Sequence, residues 1–561
     1  MSVPVESRFD EPVLRERDGE LAELNDAIDA GTGRLVIVQG APGIGKSELL
    51  RAARRRAAAR GARVVSAHGS ELEESFAYGV VRQLLERLLA IAEPAERSRW
   101  LTGAAALAEP ILAPEASGGA DAPETVGDRF AQRHGLFWLC ANLAGEQPVL
   151  LAVDDAQWAD VESLGFIGHL ALRLEELPIV LVVALRSFTD AASEELSGLL
   201  RTASAGHLRP GPLSEDAVAE IAAEALGAPV DPAFTAACHR ATGGNPLLVR
   251  ELLRETSAQS VAPTAEFAGH VEGLRPQAIA DVVLLRLARL APAARDVARA
   301  VAILGDGIRV ASAARLADLP VDTAGEAASE LIAVEILERN ETLGFIHPLV
   351  RAAVEGQVTP HERQAAHARA AAILESEGAP PERVAAHILA SAPGDVAGAA
   401  QTLRAAMRDA AARGGTAAAT RYGARALDEQ ITTAERATLL VELGVLEKRA
   451  DGAAAVAHLE EGVRLATEPA ARARAATELG WGHILTDAFP EAVQRFEMAL
   501  ATRPLPDELA DRARAGILAA APTESGSMIA AARMPARARS ASSSGSGQVA
   551  SAISKRSTAS P

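Results

Sequence analysis

Lysine is almost absent from this chain. Its 561 residues carry 56 lysines and arginines together, yet only Lys46, Lys448 and Lys555 are lysine. Cysteine is rarer still. Cys140 and Cys238 stand in isolated contexts, so neither a disulfide framework nor a cysteine zinc cluster can be built, and a reducing, cytoplasmic setting is expected. Aromatic residues make up 3%, while alanine is abundant and favours helices. No apolar run approaches the roughly 18 residues needed to span a bilayer, so no membrane association is expected. Residues 1–11 lack the basic and apolar regions of a signal peptide. The net charge of −18 argues against direct DNA binding and against a membrane surface, because phosphate-rich partners require a basic face. The length implies three or four domains.

The one lysine in the first 447 residues lies inside Gly40-Ala41-Pro42-Gly43-Ile44-Gly45-Lys46-Ser47, which fits the phosphate-binding loop pattern G-x-x-x-x-G-K-[ST] at every fixed position. An apolar run at 34–39 reads as the strand leading in, and the stretch from Glu48 to Arg60 reads as the helix leading out. The chemistry explains the residue types. Gly40, Gly43 and Gly45 have no Cβ, so the backbone turns sharply and approaches phosphate oxygens closely. The helix, starting around Glu48, presents free N–H groups and its positive dipole end to the same oxygens. Lys46 is a compact charge on a flexible stem, suited to the β- and γ-phosphates. The Ser47 hydroxyl is a candidate Mg²⁺ ligand.

A second apolar strand, 148–153, ends in Asp154 and Asp155. Mg²⁺ takes oxygen ligands and keeps several waters, so Asp154 is the expected metal ligand, directly or through water. Asp155 is expected to orient or deprotonate an attacking water. Gln157 is open between helping to position that water and a surface role. A third strand, 178–185, ends at Arg186, which either senses the γ-phosphate or forms a structural ion pair. The expected catalytic set is therefore Lys46, Asp155 and Arg186, with Ser47 and Asp154 on the metal.

From residue 13 to 208, strands at 34–39, 62–67, 148–153 and 178–185 alternate with helices. This is the pattern of an α/β P-loop domain, a parallel sheet with helices on both faces. Residues 1–12 are a lead-in, and 114–124 a flexible insertion. After Leu208 a helical lid is expected over 209–270, with Ser214 as an N-cap and Thr242-Gly-Gly-Asn-Pro246 breaking two helices. A small mixed, winged-helix-like region follows over 271–358, with a short strand or wing near Gly344–Arg351. Residues 359–520 read as a helical array. Three similar helix ends, 425–428, 464–467 and 498–501, are spaced by 39 and 34 residues, near the tetratricopeptide (TPR) period. The Ser- and Arg-rich tail 521–561 is expected to be disordered.

Several segments taken together resemble one group. They are Leu14-Arg-Glu-Arg-Asp-Gly-Glu-Leu21, Gly69-Ser-Glu-Leu-Glu-Glu74, Tyr78–Leu84, Arg133–Leu139, Asp154-Asp-Ala-Gln-Trp-Ala-Asp160, Gly243-Gly-Asn-Pro-Leu247 and Phe345-Ile-His-Pro-Leu349. The combination resembles the large ATP-binding regulators of the LuxR family, within the STAND class of signalling ATPases, across about residues 13 to 500. The resemblance implies an ATP/ADP and Mg²⁺ site and an adenine pocket lined around Val13 and Leu14. It implies that Pro246 touches the base or ribose, and that the helical C-terminal half carries the sensor for a small-molecule inducer or protein partner. His347 is implied as a phosphate sensor, with a satisfied core histidine as the alternative, and His134 is read as core packing. Members usually end in a DNA-binding helix-turn-helix; the stretch after Ala520 has neither the length nor the apolar periodicity for one.

These readings converge on an ATP-binding signalling switch with slow Mg²⁺-dependent hydrolysis that controls self-association or partner binding. A DNA-binding transcription regulator and a metabolic P-loop kinase are the alternatives. A GTPase is set aside, because guanine selection by N-K-x-D needs a second lysine, and Lys448 and Lys555 stand in unsuitable contexts.

Overall fold

The computed structural model describes residues 14–112, 126–186, 194–202, 205–258, 263–272, 287–334, 336–338, 340–346, 348–448 and 451–521. Val13, the insertion 114–124, His347 and the tail 522–561 lie outside them. The chain divides into two compact units, residues 1–422 and 423–561.

The first unit is built on five strands, β1 (Arg34–Gly40), β2 (Arg63–His68), β3 (Val149–Asp154), β4 (Ile179–Arg186) and β5 (Gly206–Leu208), in the order β2-β3-β4-β1-β5 with every pair parallel. The apolar runs that marked β1, β3 and β4 are explained by burial on both faces. Leu35, Ile37, Leu151, Val153, Leu181 and Val183 face one core, built with the helices Gly79–Ile91, Val126–Glu146 and Val161–Ala171. Val36, Val38, Leu150, Ala152, Val180 and Val182 face the other, against the helices Asp18–Asp29 and Lys46–Ala59. Leu14 packs at the edge of this second core. The fifth strand was not expected. It is three residues long, with only Leu208 fully buried, and pairs with β1 through Val36–Val38.

Beyond the sheet come the helices Glu215–Leu226, Pro232–Thr242 and Pro246–Ala258, which share a core around Phe234, Cys238, Val249 and Leu253. Ser214 caps the first by accepting from the Ala217 N–H, as expected, and Asp231 caps the second. Helices Pro292–Leu304, Val310–Ala317 and Val321–Ala333 follow. Two isolated antiparallel bridges pair Ile308 with Leu343 and Leu337 with Phe345, the latter within the 344–351 segment. Further helices at Pro360–Ser376, Pro381–Ala390, Ala399–Ala412 and Thr416–Leu427 carry the chain to the second unit.

The second unit is wholly helical among the described residues: Thr433–Glu447, Gly452–Leu465, Pro469–Leu485, Phe489–Leu500 and Asp507–Ala520, each packed on the next. Helices end at Leu427, Leu465 and Leu500, within the three repeated segments of the sequence. Phe496 anchors this stack. A Cβ on Gly480 or Gly516 would lie 2.6 or 2.2 Å from its ring, so the absent side chains make room for the aromatic one. Lys448 contacts the buried carboxylate of Glu478, so the second lysine serves packing. Among the described residues no helix is long and apolar enough to cross a membrane. Both cysteines are free and buried, and burial pushes their thiols up to about 12, which leaves them unreactive.

Candidate nucleotide site

Strand order creates the site. β4 lies between β1 and β3, and register pairs Gly40 with Arg186 and, one strand further, His68 with Asp154. The loop after β1, the acids ending β3 and the arginine ending β4 therefore meet at the carboxyl edge of the sheet, where open α/β sheets hold their ligands.

The loop is a tight, glycine-dependent turn. Gly43 has φ +76° and Gly45, the N-cap of the following helix, φ +102°. At Gly43 a Cβ would also lie 2.8 Å from Asn245 Oδ1, so conformation and space both demand glycine. Ser47, in the first turn of that helix, is exposed at the site. Glu48 turns its carboxylate to Arg51.

Lys46 is buried, 7% exposed, and donates through Nζ to the carbonyl oxygens of Gly40 and Ala41, both at 3.1 Å. Burial holds its ammonium below the ordinary lysine range, while the carboxylates of Asp155 and Asp154 pull it back up. A buried ammonium held by neutral carbonyls and facing two acids is poised for an anionic partner.

Asp154 receives the Asp155 N–H on its own Oδ1 at 2.9 Å. Asp155 is buried and left-handed, with φ +46°, an uncommon conformation for a side-chain-bearing residue. Gln157 Nε2 donates to Asp155 Oδ1 at 2.7 Å, and Gln157 Oε1 accepts from the Arg186 N–H at 3.0 Å. Gln157 thus bridges the ends of β3 and β4. Arg186 Nε sits 3.8 Å from Asp155 Oδ1, a long ion pair beside the acids. The donor set suits Mg²⁺: a serine hydroxyl and a carboxylate are hard oxygen ligands that leave positions for phosphate oxygens and water. Among the described residues no cluster of three or more His, Cys, Asp or Glu forms a dedicated metal cage.

Three residues with no role assigned from the sequence matter here. Asn245 Nδ2 donates to the Pro42 carbonyl at 2.9 Å, beside a Leu247 N–H to Gly43 O bond at 3.3 Å. Arg17, 4% exposed, donates to the carbonyls of Ile44 and Gly211. Asp160, 2% exposed, accepts from the amides of Tyr78 at 3.0 Å, Val80 at 3.4 Å and Ser163 at 2.9 Å. Burial pushes its carboxyl up to about 6, against the pull of those hydrogen bonds. Its sequence signal was an acid directly before an apolar helix, an N-cap pattern. The contacts of Asn245 and Arg17 reach 203 and 194 residues along the chain, beyond any local pattern. Pro246 opens its helix at the first position, and its neighbours, not its ring, supply the hydrogen bonds to the phosphate loop.

His134 is not core packing. It is only partly buried and accepts through Nε2 from Trp138 Nε1 at 2.9 Å, and Trp138 is 42% exposed. Positions four apart share a helix face, and here that face turns outward.

Residues 13–183 match the AAA ATPase domain family. An uncharacterized protein of Rhizobium meliloti (strain 1021) is 27% identical over 381 residues, which cover 64% of this chain and 36% of that protein, so the chain matches about a third of this curated relative's length. Among solved structures, a STAND protein with a tetratricopeptide repeat sensor from Pyrococcus horikoshii aligns with 92% of this chain and 69% of its own, at 15% identity and a TM-score of 0.49. A Walker-type ATPase of Pyrococcus abyssi aligns with 61% of this chain and 96% of its own, at 15% identity and a TM-score of 0.30.

Proposed function

We propose that the chain is an ATP-dependent signalling switch of the STAND type, with slow hydrolysis setting its conformation. The observation that carries this reading is the docking of the Gly243–Leu247 segment directly onto the phosphate loop of an AAA ATPase domain, through Asn245 and the Leu247 amide. Whatever fills the phosphate loop is then felt by the helices of 209–270 and, through them, by the rest of the first unit. A ligand shifts such an equilibrium only through unequal affinity for its two states, and direct contact between lid and loop is a means to that inequality.

In this reading Gly43, Gly45 and the amides opening the helix Lys46–Ala59 bind the phosphates, and Lys46 reaches the β- and γ-oxygens. Ser47 and Asp154 hold Mg²⁺, whose chemistry when bound is to neutralise charge on the phosphate oxygens. Asp155, held by Gln157, orients or deprotonates the attacking water, and Arg186, beside Asp155, responds to the γ-phosphate. Leu14 and Pro246 line the adenine side. The chain is organised as an ATPase domain over 13–208, a lid over 209–270, a winged-helix-like region over 271–358 and TPR-like hairpins over 359–520. The hairpins serve an inducer or protein partner in the cytoplasm. A role in transcriptional regulation of the LuxR-family kind operates through such partners, given the acidic charge.

The test is the size of the full chain in solution with MgADP and with a slowly hydrolysed ATP analogue. A larger species or changed frictional ratio with the analogue alone supports the switch. Identical behaviour in both states at saturating nucleotide contradicts it.

A further inference from the structure

The carbonyl groups of the phosphate loop are engaged one after another. Lys46 Nζ takes Gly40 O and Ala41 O, Asn245 Nδ2 takes Pro42 O, the Leu247 amide takes Gly43 O, and Arg17 takes Ile44 O. The last three donors come from outside the strand–loop–helix unit. In a planar trans peptide the C=O and the following N–H point in opposite directions. A donor that holds Pro42 O therefore sets the direction of the Gly43 N–H, and the Leu247 amide on Gly43 O does the same for the Ile44 N–H.

Asn245 is the side chain that makes this possible. Its Oδ1 accepts from the amides of Leu247 at 3.1 Å and Leu248 at 3.4 Å, capping the helix Pro246–Ala258. Two N–H donors on that side fix the oxygen there, so the amide nitrogen faces Pro42. One carboxamide thus joins the lid helix to the loop. The fit is close, since the missing Cβ of Gly43 would meet the same Oδ1 at 2.8 Å. The segment is placed from behind: Gly244 O accepts from the Leu213 N–H at 2.8 Å, and His239 Nε2 lies 2.9 Å from Leu213 O.

We infer that Asn245 is a positioning residue for the phosphate loop, orienting the Gly43 amide through Pro42 O, beside the Leu247 and Arg17 bonds that orient the next two amides, and thereby setting how fast nucleotide leaves. The inference rests on the proposed nucleotide site and deepens it by naming the group through which the lid acts on the loop.

Two substitutions separate this role from helix capping. Asn245→Asp keeps the Oδ acceptor, and aspartate caps a helix as well as asparagine does. It loses the donor to Pro42 O and sets a carboxylate against that carbonyl. Asn245→Ala loses both functions. The deciding measurement is hydrogen exchange of the Ile44 amide, which donates to Ala41 O at 3.3 Å across the turn, in the full chain without nucleotide, where repulsion between the new charge and phosphate plays no part. Both variants are expected to exchange the Ile44 amide about tenfold faster than the parent chain, as for a turn loosened by the loss of one hydrogen bond. In Asn245→Asp the amides of Leu247 and Leu248 stay protected. A fluorescent N-methylanthraniloyl-ADP is expected to dissociate faster from both variants. If Asn245→Asp exchanges like the parent chain and only Asn245→Ala departs, the residue is a cap and the inference is wrong. If Asn245→Ala does not fold, Asn245→Asp decides alone. If the parent chain binds no nucleotide, the proposed function fails, and the exchange comparison still decides the positioning role.

Discussion

Tyr422 donates its phenolic O–H to the Ser75 carbonyl at 2.9 Å, joining residues 347 apart in the chain. The tyrosine is fully buried, and burial holds its hydroxyl protonated. Next to this bond, Ala77 packs so closely on Gly415 that a Cβ there would lie 2.2 Å away. The segment that Tyr422 holds leads into Tyr78 and Val80, whose amides are gripped by Asp160, five residues beyond Asp155. A continuous path of hydrogen bonds and packing thus runs from the helix Thr416–Leu427 to the acidic end of β3. Tyr422→Phe should cost about 1 kcal/mol, the usual net value of one hydrogen bond, read as a small fall in melting temperature with the fold retained. No fall would mean that water replaces the bond.

A second tie in the same region should be costlier to cut. Glu382, 4% exposed on its side chain, faces Arg82 Nη1 at 3.0 Å and Arg413 Nη1 at 2.8 Å. Glu382→Ala leaves the Arg413 guanidinium without this anion, while Arg82 keeps Glu86, and breaking a buried pair typically costs roughly 3–5 kcal/mol. Calorimetry should show a larger loss for Glu382→Ala than for Tyr422→Phe. The reverse order would mean that the charges are solvated in solution.

The site chemistry separates binding from turnover. Asp155→Asn keeps the shape and the Gln157 contact but removes the charge, so nucleotide affinity should stay within a few-fold while hydrolysis falls on the order of 100-fold or more. Single-turnover phosphate release checks this. Hydrolysis at the parental rate would move the water-orienting role to another group.

Acid should loosen the first unit. His367 and His387 are buried, with their Nδ1 atoms 2.9 Å apart, which requires at least one ring to be neutral. Burial lowers His367 to about 4 and His387 to about 3, and Arg351 adds to the effect in both, alongside Arg363 at His367 and Arg383 at His387. Both folded values lie below the unfolded value of 6.5, so the contribution is fully present above pH 6.5 and is lost as pH falls toward 4 for His367 and toward 3 for His387. The melting temperature should decline across that window, and His387→Phe should flatten the decline. An equal slope in the variant would assign the effect to other groups.

The parts of this architecture that were legible in the sequence are those with a local physical signature. β1, β3 and β4 announced themselves because burial on both faces demands unbroken apolar runs, and the phosphate loop because its turn tolerates few residue types. The Ser214 cap and the Thr242–Pro246 break followed from local hydrogen-bond chemistry. The rest arises from contacts distant in sequence. β5 is too short to show a pattern. Asn245, Arg17 and Glu382 act on partners 194 to 300 residues away. His134 was misread because a histidine in an apolar helix does not reveal which face it occupies.

The most direct test of the account is calorimetric titration of the full chain with MgATP, MgADP and MgGTP, with Lys46→Ala in parallel. Binding of the adenine nucleotides, weaker binding of GTP, and a loss on the order of 100-fold in Lys46→Ala are expected, since the buried Lys46 ammonium is proposed to form charge-assisted bonds to phosphate. A parent chain that binds no adenine nucleotide, or a Lys46→Ala variant that binds as the parent does, would contradict it.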